Sequence, residues 1–276
     1  MKSTQTSLVA RFRALHDSGC FVLPNPWDIG TAVCLERLGF EALATTSAGF
    51  AFSRSKPDGG VSRDEMLVHI REVVNATALP VNADFHAGYA DEPENVAANV
   101  RLCVETGVAG LSIEDSTGLR DCPLYEKRLA IERMQAARSA IDGSKSGVVL
   151  TGRCEAWLVG DRDPLHTALD RLTAYAEAGA DCLYAPGVSD RGEIAEIVKA
   201  VAPKPVNILV SGFNRQLTLS GLADVGVRRI SVGSGLALAA WGAFLRAAKD
   251  IKENGTFTLF ADNAPSAELD KLFRQR

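Results

Sequence analysis

The sequence predicts an α/β chain folded as a (β/α)8 TIM barrel, with an extra N-terminal helix and a C-terminal helical tail. Three observations carry that prediction. Short apolar runs alternate with amphipathic helical patterns along the whole chain. Eight such runs are present, several of them apolar throughout, as strands buried on both faces of a parallel sheet must be. The length, 276 residues, suits one barrel and requires no second domain, so residues 1–276 read as a single unit.

Ahead of the first run, Leu8, Val9, Phe12 and Leu15 stand at helical spacing and predict a helix packed across the barrel. The strand candidates are 21–24, 42–46, 80–84, 110–114, 148–153, 182–185, 206–210 and 229–232. Between them, Val96, Val100, Leu102, Cys103 and Val104 give a helix over 93–106. Leu165, Ala168, Leu169 and Leu172 give another over 164–177. Leu236, Leu238, Ala239, Trp241, Phe244 and Leu245 mark a long helix that Asn254-Gly255 should stop, because glycine takes the left-handed C-cap without penalty. Residues 256–260 and a last helix near 266–273 then carry Phe and Leu side chains with no obvious barrel face to cover. The tail, 255–276, either packs on a neighbouring subunit of a homo-oligomer (a dimer or tetramer) or folds back on its own barrel. A doubly wound open sheet is the alternative fold, but no GxGxxG follows the first strand to support its nucleotide-binding version.

Composition narrows the function. Hydrophobic residues at 46% are enough for a large core. A net charge of −4, with no basic run interleaved with aromatics, argues against a nucleic-acid partner. The six cysteines are scattered without a CxxC pair, so a zinc cluster is not expected. No apolar run approaches the ~20 residues of a membrane span and no export signal is visible, which makes the cytoplasm, with reduced thiols, the default location.

In such a barrel, chemistry gathers at the C-terminal ends of the strands. There the sequence places Asn25-Pro26-Trp27-Asp28, Thr45-Thr46-Ser47-Ala48-Gly49, Asp84-Phe85-His86, Glu114-Asp115, Arg153-Cys154-Glu155 and Asn207. Ionised groups at buried strand ends are costly unless paired or bound to metal, so Asp84, Glu114, Arg153 and Glu155 point to a metal site with a cation for an anionic substrate. Some of these residues also have plainer readings. Asp28 could cap the helix that follows it, Asp58 in Pro57-Asp58-Gly59-Gly60 could be a turn residue, and Glu114 could be a salt-bridge partner of Arg153. His69 and His166 fall on helices and read as surface or packing residues.

These strand-end motifs resemble the isocitrate lyase/phosphoenolpyruvate mutase superfamily, over about residues 22–248. The Asn-Pro-x-Asp of 25–28, Thr46-Ser47-Ala48-Gly49, Pro57-Asp58, Asp84-Phe85-His86-Ala87-Gly88-Tyr89, Glu114-Asp115, Arg153-x-Glu155 and Asn207 occur in the family's order. The resemblance implies a Mg²⁺ (or Mn²⁺) enzyme that breaks or forms C–C or P–C bonds in small oxo- or hydroxy-carboxylates. Asp84 would be the direct metal ligand, with Asp58, His86 and Glu114 around the metal's waters. Arg153 would pair with the substrate's carboxylate or phosphonate, and the loop Thr46, Ser47, Ala48 and Gly49 would hold its oxygens. Asp28, Glu155 and Asn207 would complete the substrate site, with Arg120 reaching a distal carboxylate.

The sequence departs from the family pattern in two places. His86 stands where the family's motif has a second acid, so the site loses a negative charge. The family's lyases carry Lys-Cys-Gly-His after the Glu-Asp pair, with Cys as acid/base; here the loop reads Asp121-Cys122-Pro123-Leu124-Tyr125. Cys122 is at the matching distance, and Arg153, Glu114 and Cys122 are the catalytic candidates. The resulting expectation is a carbon–carbon lyase or hydrolase; the alternatives are phosphonopyruvate chemistry and a barrel that binds a carboxylate with little turnover.

Overall fold

The computed structural model describes residues 4–212, 214 and 217–274. Eight strands form one parallel sheet: β1 (Phe21–Leu23), β2 (Leu43–Ala44), β3 (Val81–Asp84), β4 (Gly110–Glu114), β5 (Val149–Arg153), β6 (Cys182–Tyr184), β7 (Val206–Leu209) and β8 (Arg229–Ser231). Each lies inside one of the apolar runs. The neighbour order, β1-β8-β7-β6-β5-β4-β3-β2, follows the chain around a ring and pairs the first strand with the last. That rules out the doubly wound sheet. At the remaining seam, between β1 and β2, the Ala44 N–H donates to the Pro24 carbonyl at 3.0 Å. Asn25 reinforces it by donating to the Thr45 carbonyl at 2.8 Å and accepting from the amides of Val232 and Gly233, both at 2.9 Å. The barrel is therefore nearly closed, with β1 and β2 joined at the seam by these bonds rather than by a strand ladder.

The helices are α1 (Gln5–Ala14), α2 (Ile29–Arg37), α3 (Ser47–Ser53), α4 (Arg63–Ala76), α5 (Pro93–Val104), α6 (Lys127–Ser144), α7 (Pro164–Glu177), α8 (Arg191–Val201), α9 (Leu219–Asp224), α10 (Gly235–Asn254) and α11 (Ser266–Arg274). The N-terminal helix α1 buries Leu8, Val9 and Phe12. The Phe12 ring seats against Gly110 so closely that a Cβ there would lie 2.6 Å from it. Glycine at the foot of β4 thus makes room for the helix expected to pack across the barrel.

The barrel interior is more polar than uninterrupted apolar runs imply. Arg229 is fully buried and donates to Asn207 Oδ1 and Thr151 Oγ1, each at 2.9 Å. Its third partner is His16 Nε2 at 3.3 Å. His16 Nδ1 lies 2.7 Å from the Phe12 carbonyl and must donate to it, which leaves Nε2 to accept from Arg229. Burial, reinforced by the Arg229 charge, pushes His16 down to about 3.

At the other end of the chain, α10 stops at Gly255, whose φ of 67° is the left-handed cap the sequence predicts. Only Ala237 of α10 is buried, while Leu238, Phe244 and Leu245 are exposed. Helix α11 lies on α2, with Phe273 near Gly30, yet Phe257, Leu259, Phe260 and Leu269 stay exposed. The tail therefore touches its own barrel without burying its apolar side chains. No helix among the described residues is long and apolar enough to cross a membrane.

Candidate active site

Strand β3 delivers Asp84 to the mouth of the barrel. Its amide donates to Thr45 Oγ1 at 2.9 Å, which fixes the strand end beside β2. Its carboxylate takes the Ser47 amide and hydroxyl on Oδ2, at 3.0 and 2.7 Å, and Arg153 Nη1 on Oδ1 at 3.3 Å. The same Nη1 lies 3.2 Å from Glu114 Oε2, and Arg153 Nε donates to Glu155 Oε1. The Arg153 guanidinium stands 5.2 Å from the centre of the Tyr184 ring. Strands β3, β4 and β5 thus bring Asp84, Glu114 and Arg153, all half-buried, and the buried Glu155 into one knot. His86 Nδ1 is 3.8 Å from Glu114 Oε1.

The electrostatics follow from crowding acids together. Burial pushes Asp84 up, but Arg153, His86 and the two Ser47 donors outweigh it and hold the carboxyl below its ordinary range. Burial dominates at Glu155, which rises to about 7 against the pull of Arg153. Burial lowers His86, yet Glu114, Asp84 and Asp58 together raise it to about 9. Asp58 is raised, first by desolvation and then by Asp84 and Glu114, with His86 opposing. Four carboxylates share one guanidinium and one imidazole here, an excess of negative charge that favours a bound cation.

Two cavities meet at Arg153. An inner one of about 50 Å³ is bordered by Asp84, Asn207, Ser231 and Tyr184. An outer one of about 680 Å³ is bordered by Ser47, Asp58, His86, Glu114, Glu155, Tyr125, Leu158 and Val159. Among the described residues, no three His, Cys, Asp or Glu side chains converge closely enough to cage a metal. Mg²⁺ does not need such a cage, since it keeps several waters and takes one or two carboxylates. Asp84, with Asp58 and Glu114 near it and a wide polar cavity beyond, fits a water-rich Mg²⁺ site.

The remaining candidates fall into place around this knot, or outside it. Thr46 caps α3 by accepting from the Gly49 amide at 3.2 Å. Gly49 is a packing residue, because a Cβ there would meet Thr46 at 2.7 Å and both Ala237 and Trp27 at 3.2 Å. Asp28 is exposed, closes a capping box on α2 with Thr31, and borders neither cavity. Asp58 lies in a turn that the Gly60 amide closes onto the Pro57 carbonyl at 2.9 Å, and it borders the outer cavity. Asn207 is buried between Ser231 and Arg229. The loop after β4 is pinned at its base by a bridge between Ser116 and Leu124 and by Thr117 N–H to the Pro123 carbonyl at 3.0 Å. Arg120 and Cys122 sit exposed at its tip, outside the cavity, whereas Ser116, Thr117 and Gly118 border it. His69 is buried and stacked on Phe50 at 3.8 Å, a packing role.

Sequence reasoning did not single out the framework under Glu155. Asp115 accepts from the Glu155 amide at 2.8 Å, the Tyr175 hydroxyl at 2.6 Å and Arg171 at 3.2 Å. Arg171 also donates to the Tyr125 carbonyl at 2.8 Å. The second acid of the Glu-Asp pair was the visible signal; its partners on α7 were not.

The chain is similar to known proteins. The profile of the phosphoenolpyruvate phosphomutase family matches residues 12–252. A crystal structure of a provisionally assigned lyase/mutase from Burkholderia cenocepacia J2315 is 48% identical, with a TM-score of 0.93, covering 98% of this chain and 96% of that one. The 2-methylisocitrate lyase of Halalkalibacterium halodurans is 29% identical over 258 residues, 92% of this chain and 85% of that protein. An oxaloacetate acetylhydrolase in complex with oxalate shares the fold at 23% identity, with a TM-score of 0.85, covering 98% of this chain and 95% of that one. With its barrel, its strand-end carboxylates and its central arginine in place, this chain belongs to the phosphoenolpyruvate mutase/isocitrate lyase superfamily, whose enzymes are lyases and mutases of small carboxylates.

Proposed function

We propose that this protein is a Mg²⁺-dependent lyase or hydrolase that cleaves a C–C bond next to the carbonyl of a small oxo- or hydroxy-carboxylate, with Mn²⁺ able to replace Mg²⁺. The observation that carries the reading is the knot of Asp84, Glu114 and Glu155 on Arg153, between an inner and an outer cavity. Asp84 would hold the metal directly, with Asp58, Glu114 and His86 facing its waters. When bound, Mg²⁺ would lower the cost of negative charge developing on the substrate's carbonyl oxygen. Breaking the bond leaves its electron pair as an enolate, which needs that stabilisation and shelter from water. Arg153, already the centre of the three acids, would take the substrate's carboxylate. Ser47, at the start of α3, would orient the substrate's oxygens. Leu158 and Val159 line the outer wall and would exclude water from the reacting centre.

Phosphonopyruvate-type P–C chemistry is the second reading, favoured by the family profile and by the position of Cys122 outside the cavity. The exposed apolar side chains of α10 and the tail support a homo-oligomer in which a second copy covers them. The test incubates the protein and Mg²⁺ with a panel of oxo- and hydroxy-carboxylates, including oxaloacetate and substituted malates, and with phosphonopyruvate. Pyruvate, glyoxylate or oxalate released only with metal supports the lyase or hydrolase. Phosphate release or rearrangement of phosphonopyruvate alone supports the second reading. No turnover of any compound contradicts both.

A further inference from the structure

We infer that Arg133 and Asn99, neither of which borders the active-site cavities, are positioning residues that hold the loop after β3 in a strained shape and so aim His86 at Glu114. The loop's backbone is unusual. His86, Gly88 and Tyr89 have φ of 48°, 75° and 56°, so two residues with a Cβ occupy the left-handed region. Such conformations are strained for residues with a Cβ and persist only where the surroundings over-determine them.

The surroundings here can be named carbonyl by carbonyl. The Phe85 carbonyl accepts from the Gly88 amide at 2.9 Å, and that of His86 accepts from the Glu114 amide at 3.0 Å. Asn99 Nδ2 donates to the carbonyls of Gly88, at 2.8 Å, and Tyr89, at 3.3 Å. The guanidinium of Arg133 donates to the three that remain, Ala87, Ala90 and Asp91. Every carbonyl from Phe85 to Asp91 therefore has a donor, and five of them depend on these two side chains.

The two side chains are built for this task. Arg133 is 1% exposed and Asn99 5% exposed. They come from α5 and α6, which pack side by side outside the barrel. Among the described residues no carboxylate pairs with Arg133; its charge is shared over the three carbonyls and the face of the Tyr125 ring, 3.9 Å away. The Tyr125 hydroxyl in turn donates to Asp91, so the same arginine joins the root of the loop after β4 to the loop after β3. Asn99 is itself oriented by Arg63, which donates to its Oδ1 at 2.9 Å. A guanidinium can satisfy three diverging carbonyls where an ammonium reaches fewer of them with good geometry.

This role rests on the strand-end site being the active site, but its test needs no substrate. Hydrogen–deuterium exchange of the full-length protein reads two amides whose acceptors lie in the loop, Gly88 and Glu114. In Arg133→Met both should exchange at least tenfold faster, with Arg133→Lys in between, while amides of β5–β8 are unchanged. Asn99→Ala should speed Gly88 more than Glu114, and it carries the test if Arg133→Met does not fold. Titration with Mn²⁺ alone adds a second readout: affinity should fall several-fold in both variants and recover partly in Arg133→Lys. Unchanged exchange at Gly88 and Glu114 overturns the inference. If the unsubstituted protein binds no Mn²⁺ while exchange responds as expected, the metal reading fails and the positioning role stands.

Discussion

Two neighbouring loops at the mouth of the barrel are built in opposite ways. The loop after β3, residues 85–91, has a donor for every backbone carbonyl and follows directly on Asp84. The loop after β4, residues 115–125, is tied to the barrel only at its root, by the Ser116–Leu124 bridge and by Tyr125; beyond that its bonds are internal, Thr117 Oγ1 donating to the Cys122 carbonyl and accepting from the Leu119 amide, while the side chains of Leu119, Arg120, Asp121 and Cys122 stand in solvent. Both border the same outer cavity. A metal site needs fixed donors, because a carboxylate that must be ordered on binding loses affinity. A substrate needs a way in and then shelter, which a loop whose tip stands in solvent could provide.

The largest effect should come from the rigid side. Arg153→Lys keeps one positive charge but loses the fork that reaches Asp84, Glu114 and Glu155 together. Turnover of whichever oxo acid proves active should drop by roughly 100-fold or more, as expected when a positioned charge clamp is lost. A loss below about threefold would mean that the knot does not organise the chemistry.

A smaller effect, of the opposite sign, is expected at His86. His86→Asp places a negative charge where the site now holds an imidazole, 3.8 Å from Glu114. Calorimetry should show Mg²⁺ binding tightened by about tenfold; a charge pair ~5 Å apart at an effective dielectric of about 20 is worth roughly 3 kcal/mol, an upper guide. Equal or weaker binding would show that His86 does not face the metal.

On the free loop, trypsin should nick the protein after Arg120, and Mg²⁺ with oxalate should slow that cut several-fold. Identical cleavage with and without both would remove the closing role. The smallest effect is expected at the tip. Cys122→Ser should leave turnover within about twofold, because the thiol is exposed and outside the cavity. A loss of 100-fold would show that closure carries Cys122 into the chemistry.

Much of this architecture was legible in the sequence. Apolar runs located all eight strands, and Gly255 marked the end of α10, because burial and backbone freedom act locally on residue type. Asp84, Glu114, Arg153 and Glu155 could be gathered into one site because they end strands whose order around the barrel is fixed by the fold. Arg133 and Asn99 could not be found that way. Each reads as an ordinary helix residue, and its role exists only once α5 and α6 dock beside the loop. Asp28 shows the converse: a residue placed at a strand end by sequence, whose side chain the structure spends on capping α2. The tail stayed ambiguous for a physical reason, since it touches α2 yet leaves Phe257, Leu259, Phe260 and Leu269 exposed.

The account's central claim is that Asp84 is the anchor of a divalent-metal site at the mouth of this barrel. Titrating the unsubstituted protein and Asp84→Ala with Mg²⁺ and Mn²⁺ by calorimetry tests it most directly, with circular dichroism to confirm that both are folded. The account predicts one metal site per chain in the unsubstituted protein and no detectable binding in Asp84→Ala. Undiminished affinity in a folded Asp84→Ala variant would contradict it.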